Sequence, residues 1–235
     1  MLVRVDTVKT SQTSAEMAEA LIRAWIKQFQ TTPKKESIAV LYAQNYLETG
    51  GTAHQYNWNL GNIKAFDDKN PNTVIKYHML NNVWEIGKDG KKYVYNPPDP
   101  QTWFRAFDSL DDGAEFYILF LKNNRYKVCW EAILNGDPEK FAILLKQQGY
   151  YTANVNDYIH LMKYGFNVFM KSDYYEKTIN SLKENAEYKN IIDNLYYVMP
   201  DIDIKPNFDA FEDSKSLEKP KSLISNVINS IRKLF

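Results

Sequence analysis

Leu47-Glu48-Thr49-Gly50-Gly51 is the stretch on which the reading of this chain turns, together with Asn57-Trp58-Asn59-Leu60-Gly61-Asn62-Ile63-Lys64 just after it. Upstream, Thr32-Pro33 reads as an N-cap followed by proline at the first helical position. Ile38, Leu41, Tyr42 and Asn45 then fall on one side of an amphipathic helix that runs to about Glu48, where the glycine pair stops it. Glu48 lies two turns after Leu41 on the same face, so its carboxyl group emerges at the rim of a core rather than in open water. Partial burial disfavours the charged form and raises the pKa, as a general acid working at neutral pH requires. An exposed glutamate would instead meet the negative end of the helix dipole, which is mildly unfavourable. A polar, aromatic-bearing loop carrying Trp58 follows at once.

On the N-terminal side, a first helix is expected from Thr13, with Glu16 completing a capping box and Met17, Leu21, Trp25 and Phe29 forming its buried stripe. Beyond the Trp58 loop the helical period disappears. Val74 to Tyr77 and Val83 to Ile86 read as short strands, and Lys88-Asp89-Gly90-Lys91 as a hairpin turn into Tyr93-Val94-Tyr95. Pro97-Pro98-Asp99-Pro100 is expected to end this β region. Helices resume at Leu110, opened by Asp111-Asp112, with Phe116, Leu119, Phe120 and Tyr126 as the apolar side. Others are expected near Pro138 (Phe141, Leu144, Leu145), from about Asn156 to Phe169, and from Tyr174 to Tyr197. Pro200 to Pro220 is rich in proline and acid and reads as a linker. Leu223, Ile224, Val227, Ile228, Ile231, Leu234 and Phe235 make a terminal amphipathic stripe. The fold class is therefore α+β and mainly α, with a small β-hairpin insertion after Glu48. Its boundaries are an N-terminal extension 1–14, a main domain 15–197, a linker 198–221 and an amphipathic C-terminal helix 222–235.

Composition narrows the chemistry. The 29 basic and 29 acidic residues give no net charge, so nothing argues for nucleic acid or an anionic membrane. No segment is apolar for long enough to span a bilayer. The single cysteine, Cys129, excludes an intramolecular disulfide or a cysteine-based zinc cluster. His54, His78 and His160 lack metal-ligand spacing and read as structural or surface groups, so no metal or cofactor is expected. The 17 Tyr, 12 Phe and 5 Trp have two readings: a tyrosine-rich core and surface, or a carbohydrate cleft where sugar C–H faces pack on flat rings.

The Glu48 segment and its loop resemble the glucosaminidase family of bacterial autolysins and flagellar peptidoglycan hydrolases. In that family the acid stands in an E-[ST]-G-[WG] context and the next loop reads roughly N-L-F-G-I-K-A. Here the loop is Asn59-Leu60-Gly61-Asn62-Ile63-Lys64-Ala65, with the glycine moved by one place. The family also carries a second glutamate on a β-hairpin, in a context like T-x-E before an F-R-x-Y motif. Val83-Trp84-Glu85 and Phe104-Arg105-Ala106-Phe107 follow that order and spacing. A third patch, Gly149-Tyr150-Tyr151-Thr152-Ala153 and then Tyr158, is similar to the family's G-Y-A-T-D-x-x-Y. It departs in having Ala153 at the aspartate position and two extra residues before Tyr158, and Asp157 is a conceivable substitute. The resemblance spans about Ala15 to Tyr164.

This resemblance implies a lysozyme-like domain that cleaves the β-1,4 glycan strand of peptidoglycan, most like an endo-β-N-acetylglucosaminidase. Glu48 would protonate the leaving oxygen. Glu85 would position water or stabilise developing positive charge, against the plainer reading of a solvent-facing strand glutamate; Asp67, Asp68 and Asp89 are the other acids in reach, and the turn accounts for Asp89. Trp58, Asn59, Tyr150, Tyr151 and Tyr158 would line the sugar subsites. A muramidase or a lytic transglycosylase shares the layout and stays open, as does a non-catalytic glycan-binding or structural virion protein. Met1 to Ser14 does not read as a secretory signal. A wall-degrading chain of this kind is expected to be made in the bacterial cytoplasm of a phage infection. It would reach the wall after holin release or from the virion. The C-terminal helix is expected to dock on a phage structural protein or a second copy of the chain, with folding back on its own domain and binding at a membrane surface as the alternatives.

Overall fold

The computed structural model describes residues 1–65, 74–87, 89–123 and 125–193. Asp67, Asp68, the linker 198–221 and the amphipathic helix 222–235 lie outside the described residues. Among those described, the protein is mainly helical with a little sheet. Its helices are α1 (Ser14–Phe29), α2 (Lys35–Glu48), α3 (Leu110–Asn123), α4 (Trp130–Leu134), α5 (Pro138–Gln147), α6 (Val155–Lys171), α7 (Tyr174–Glu184) and α8 (Ala186–Asp193). Its strands are β1 (Leu2–Arg4), β2 (Ile75–Met79), β3 (Val83–Ile86), β4 (Lys92–Tyr95) and β5 (Trp103–Arg105).

Helix α1 begins as the sequence predicts. The Thr13 hydroxyl accepts from the Glu16 amide and the Glu16 carboxylate accepts from the Thr13 amide, a closed capping box. Such a cap contributes about 1 kcal/mol. Met17, Leu21 and Trp25 are buried, and Phe29 meets Trp25 edge-on at 4.9 Å.

Helix α2 corrects the sequence reading in two ways. It starts at Lys35 with Lys34 as a cap that makes no side-chain bond, not at Thr32-Pro33. Pro33 is instead buried, and its carbonyl accepts a hydrogen bond from the Tyr175 hydroxyl at 2.6 Å. Nor is α2 one-sided: every residue from Ser37 to Asn45 is buried. A helix buried all round must be enclosed by neighbours, and α1, α4, α5 and α6 pack on it. The small residues Ser37, Ala39 and Ala43 let those neighbours approach. Helix α6 turns Tyr158, Met162, Gly165 and Phe169 inward, and a Cβ at Gly165 would lie only 3.0 Å from the Ala43 Cα.

The N-terminal segment, read from sequence as an extension, is woven into the domain. Strand β1 pairs in parallel with β2, and β2 pairs antiparallel with β5, so β5 lies beyond the prolines that were expected to end the β region. The Thr10 amide donates to the Gln55 carbonyl at 3.0 Å, and the Asn57 amide donates to the Val8 carbonyl at 2.8 Å. The β3–β4 hairpin matches expectation, with Glu85 opposite Tyr93 and Val83 opposite Tyr95.

Two further helical readings shift. The core face of α3 is Ala114, Tyr117, Ile118 and Leu121, whereas Phe116 and Phe120 form a flanking aromatic row with Phe107 and Tyr126. Tyr126 itself belongs to a short 3-10 turn after α3. The helix expected from Tyr174 breaks at Asn185 into α7 and α8. No helix among the described residues is long and apolar enough to cross a membrane.

Candidate active site

Glu48 is the last residue of α2, and the chain beyond it is locked. The Gly51 amide donates to the Tyr46 carbonyl at 2.7 Å and the Gly50 amide to the Leu47 carbonyl at 3.2 Å. Gly50 holds a φ of 58°. These two bonds are the Schellman closure of a helix end, which needs the left-handed conformation that glycine adopts at least cost. The Asn62 amide group donates to the Glu48 carbonyl at 2.5 Å, satisfying one of the carbonyls that a helix end leaves open. The loop after the helix is therefore tied to the residue it follows.

Four tyrosines lie near enough to the carboxyl group to feel its charge, and one of them bonds it. The Tyr158 hydroxyl, on the first turn of α6, donates to Glu48 Oε1 at 2.9 Å. Tyr151 lies flat on Tyr158, ring centroids 3.6 Å apart and planes 4° from parallel, and its hydroxyl donates to the Ala142 carbonyl at 2.9 Å. Tyr150 donates to the Gly61 carbonyl at 2.6 Å. Gly61 is required there, because a Cβ would sit 2.8 Å from the Tyr150 hydroxyl and its φ is +76°. Tyr117 is fully buried and donates to Gln44. All four phenols are pushed above their ordinary pKa, first by burial and next by the charge of Glu48, so each remains a neutral donor.

Within this enclosure Glu48 is pushed up from 4.5 to about 7. Burial is the largest cause, the Tyr158 hydrogen bond opposes it, and the negative charge of Glu85 adds to it. The residue keeps part of its surface open. A carboxyl group that is half protonated at neutral pH, held at a rigid helix end, can deliver a proton to a bound oxygen.

Glu85 reaches this site from β3. It forms an ion pair with Lys64 at 3.3 Å. Lys64 also donates to the Gln101 carbonyl and lies 4.2 Å over the Phe104 ring. Burial lowers the Lys64 pKa and Glu85 works against that loss.

The structure thus brings together Glu48, Glu85, Tyr150, Tyr151 and Tyr158, but it corrects two expected cleft residues. Asn59 is 1% exposed, and its side chain is spent bridging Ile63, donating to the carbonyl and accepting from the amide, both at 3.0 Å. Trp58 lines a different pocket of about 250 Å³ with Gln12, Glu16, Arg23 and Leu110. Its carbonyl meets α3 so closely that a Cβ at Gly113 would lie 2.0 Å away. Asp157 is exposed on the first turn of α6. Sequence reasoning missed Tyr117, Gln44, Asn62 and Lys64. Gln44 stands four residues before Glu48, a spacing that puts both on one helix face and could have pointed to it.

Of the histidines, His78 is buried between Tyr56 and Phe104 and is pushed down to about 4 by burial, so it stays neutral. His54 lies against Gly50, and His160 is exposed. No protein-family model, no curated protein and no solved structure matches the chain.

Proposed function

We propose that the protein is a glycoside hydrolase with a lysozyme-like domain, acting on the β-1,4 glycan strand of peptidoglycan and most like an endo-β-N-acetylglucosaminidase. The observation that carries this reading is Glu48, a helix-end carboxyl group raised to about 7 inside a cage of tyrosines, with a second carboxylate close enough for its charge to be felt. Two carboxyl groups of unlike environment are the working parts of glycosidases with oxocarbenium-like transition states.

In this scheme protonated Glu48 gives its proton to the glycosidic oxygen as the bond to the anomeric carbon breaks. Positive charge grows on the sugar ring, and Glu85, oriented by Lys64, stabilises it or aligns the attacking water. The Tyr158 hydroxyl then receives the carboxylate that Glu48 has become, already at hydrogen-bond distance. Tyr150 and Tyr151 stand beside the acid as flat surfaces for the chain. The setting proposed is a phage lysin acting on the wall after release or from the virion.

The test is release of soluble fragments from purified cell walls. Glu48→Gln keeps the shape but cannot donate a proton, and it should reduce the rate by at least about a hundredfold. A Glu48→Gln protein with full lytic activity overturns the proposal. The reducing ends of the products identify the bond: N-acetylglucosamine for a glucosaminidase, N-acetylmuramic acid for a muramidase, and the anhydro sugar for a transglycosylase.

A further inference from the structure

The hairpin that carries Glu85 holds a residue the proposed reaction does not use. In the antiparallel register Glu85 faces Tyr93 and Val83 faces Tyr95, so all four side chains share one face of the ribbon. That is the face from which Glu85 contacts Lys64 and acts on Glu48. Tyr93 is 44% exposed, yet its ring is fixed. It lies against Gly87, where a Cβ would come within 2.6 Å of the ring. Its hydroxyl donates to Asp89 at 2.8 Å, and Asp89 also accepts from the Lys91 amide at 3.1 Å, holding the turn.

An exposed aromatic ring gains little for the fold. One that is pinned from two sides presents a flat apolar surface with its ordering entropy already lost, which is what a rigid recognition surface requires. Val94, on the opposite face of the same strand, is more exposed still, but its branched chain offers no flat ring.

We propose that Tyr93 is a stacking platform for a pyranose ring of the glycan chain, in a subsite beside Glu85 on the hairpin. This rests on the glycosidase reading of the Glu48 site. The ligand class is a β-1,4-linked oligomer of N-acetylated amino sugars, whose C–H face covers the ring while its polar edge stays in water. Gly87 and Asp89 are the positioning residues that hold the platform.

The experiment is a titration of the full chain, in a Glu48→Gln background that prevents turnover, with the soluble tetramer of N-acetylglucosamine. Tyr93→Ala should weaken binding about tenfold, as expected from losing one stacked ring. Tyr93→Phe keeps the ring and its seat on Gly87 but loses the Asp89 bond, so it should fall between the parent and Tyr93→Ala, weaker than the parent by about threefold. Gly87→Ala pushes the ring away and should behave like Tyr93→Ala, whereas Val94→Ala should bind as the parent does. Equal affinity of Tyr93→Ala and the parent overturns the platform, and so does a Tyr93→Phe as weak as Tyr93→Ala. Either result leaves the hydrolase reading standing if the chain with intact Glu48 still releases wall fragments. A parent that neither binds the tetramer nor releases fragments ends both.

Discussion

The Tyr158 hydroxyl donates to Glu48 Oε1 across 2.9 Å, joining the first turn of α6 to the last residue of α2. A donor on a carboxylate favours its charged form, so this bond pulls Glu48 down against the burial that pushes it up. The pKa of about 7 is the balance of the two, and it sets the pH above which the acid loses its proton.

Tyr158→Phe removes the donor and leaves the ring. Glu48 should then hold its proton to higher pH, and the alkaline limb of the proposed wall-degrading activity should move upward. A hydrogen bond to a charged group is worth about 1.5–3 kcal/mol, so the move should be about one pH unit or somewhat more. Initial rates across pH 5 to 9 check this, and an unmoved limb would show that Tyr158 does not act on the Glu48 proton.

The same displacement has a consequence for stability that needs no substrate. The folded chain holds the Glu48 proton more tightly than the unfolded chain does, because burial penalises the carboxylate. That contribution is fully present below about pH 4.5 and is lost as pH rises through about 7. From 4.5 to about 7 the difference is roughly 3 kcal/mol. Glu48→Gln cannot ionise, so it should melt higher than the parent at pH 8, with the advantage shrinking as the pH falls towards 5. A constant difference in Tm across that range would mean that Glu48 does not titrate as the burial implies.

Much of this site was legible because its signals are local. The Gly50-Gly51 pair announces a helix end, and the spacing from Leu41 places Glu48 at the edge of the core. Tyr150, Tyr151 and Tyr158 come from one short stretch that closes on Glu48 as a unit. Longer-range features were not legible. Strand β1 is only three residues, and its partner β2 begins at Ile75, far along the chain. The burial of α2 on all sides was hidden because Ser37 and Gln44, polar types outside the side formed by Ile38, Leu41, Tyr42 and Asn45, are enclosed as well. Asn59 looked like a cleft residue for the same reason: a polar side chain in a loop serves a ligand or the loop's own backbone, and here it serves Ile63.

A tight approach between α2 and α6, at Gly165 and Ala43, offers the last prediction. Gly165 follows Tyr158 by seven residues, two turns along the same face, and its Cα side lies against the backbone of Ala43. A Cβ added there would be 3.0 Å from the Ala43 Cα and 3.2 Å from its Cβ, tighter than ordinary contact, and neither helix can yield locally because both are packed. Gly165→Ala should therefore cost about 1–3 kcal/mol by overpacking, and Gly165→Leu more. Thermal melting reads this directly, at roughly 2–4 °C per kcal/mol for a domain of this size. Because the added atoms wedge α6 from α2, they should also lengthen the Tyr158–Glu48 bond. The Gly165→Ala protein should then show the upward shift of the alkaline activity limb expected of Tyr158→Phe, in smaller measure. A Gly165→Leu protein with the parent's Tm and pH profile would show that the helices do not meet at this glycine and that Tyr158 is not held against Glu48 by it.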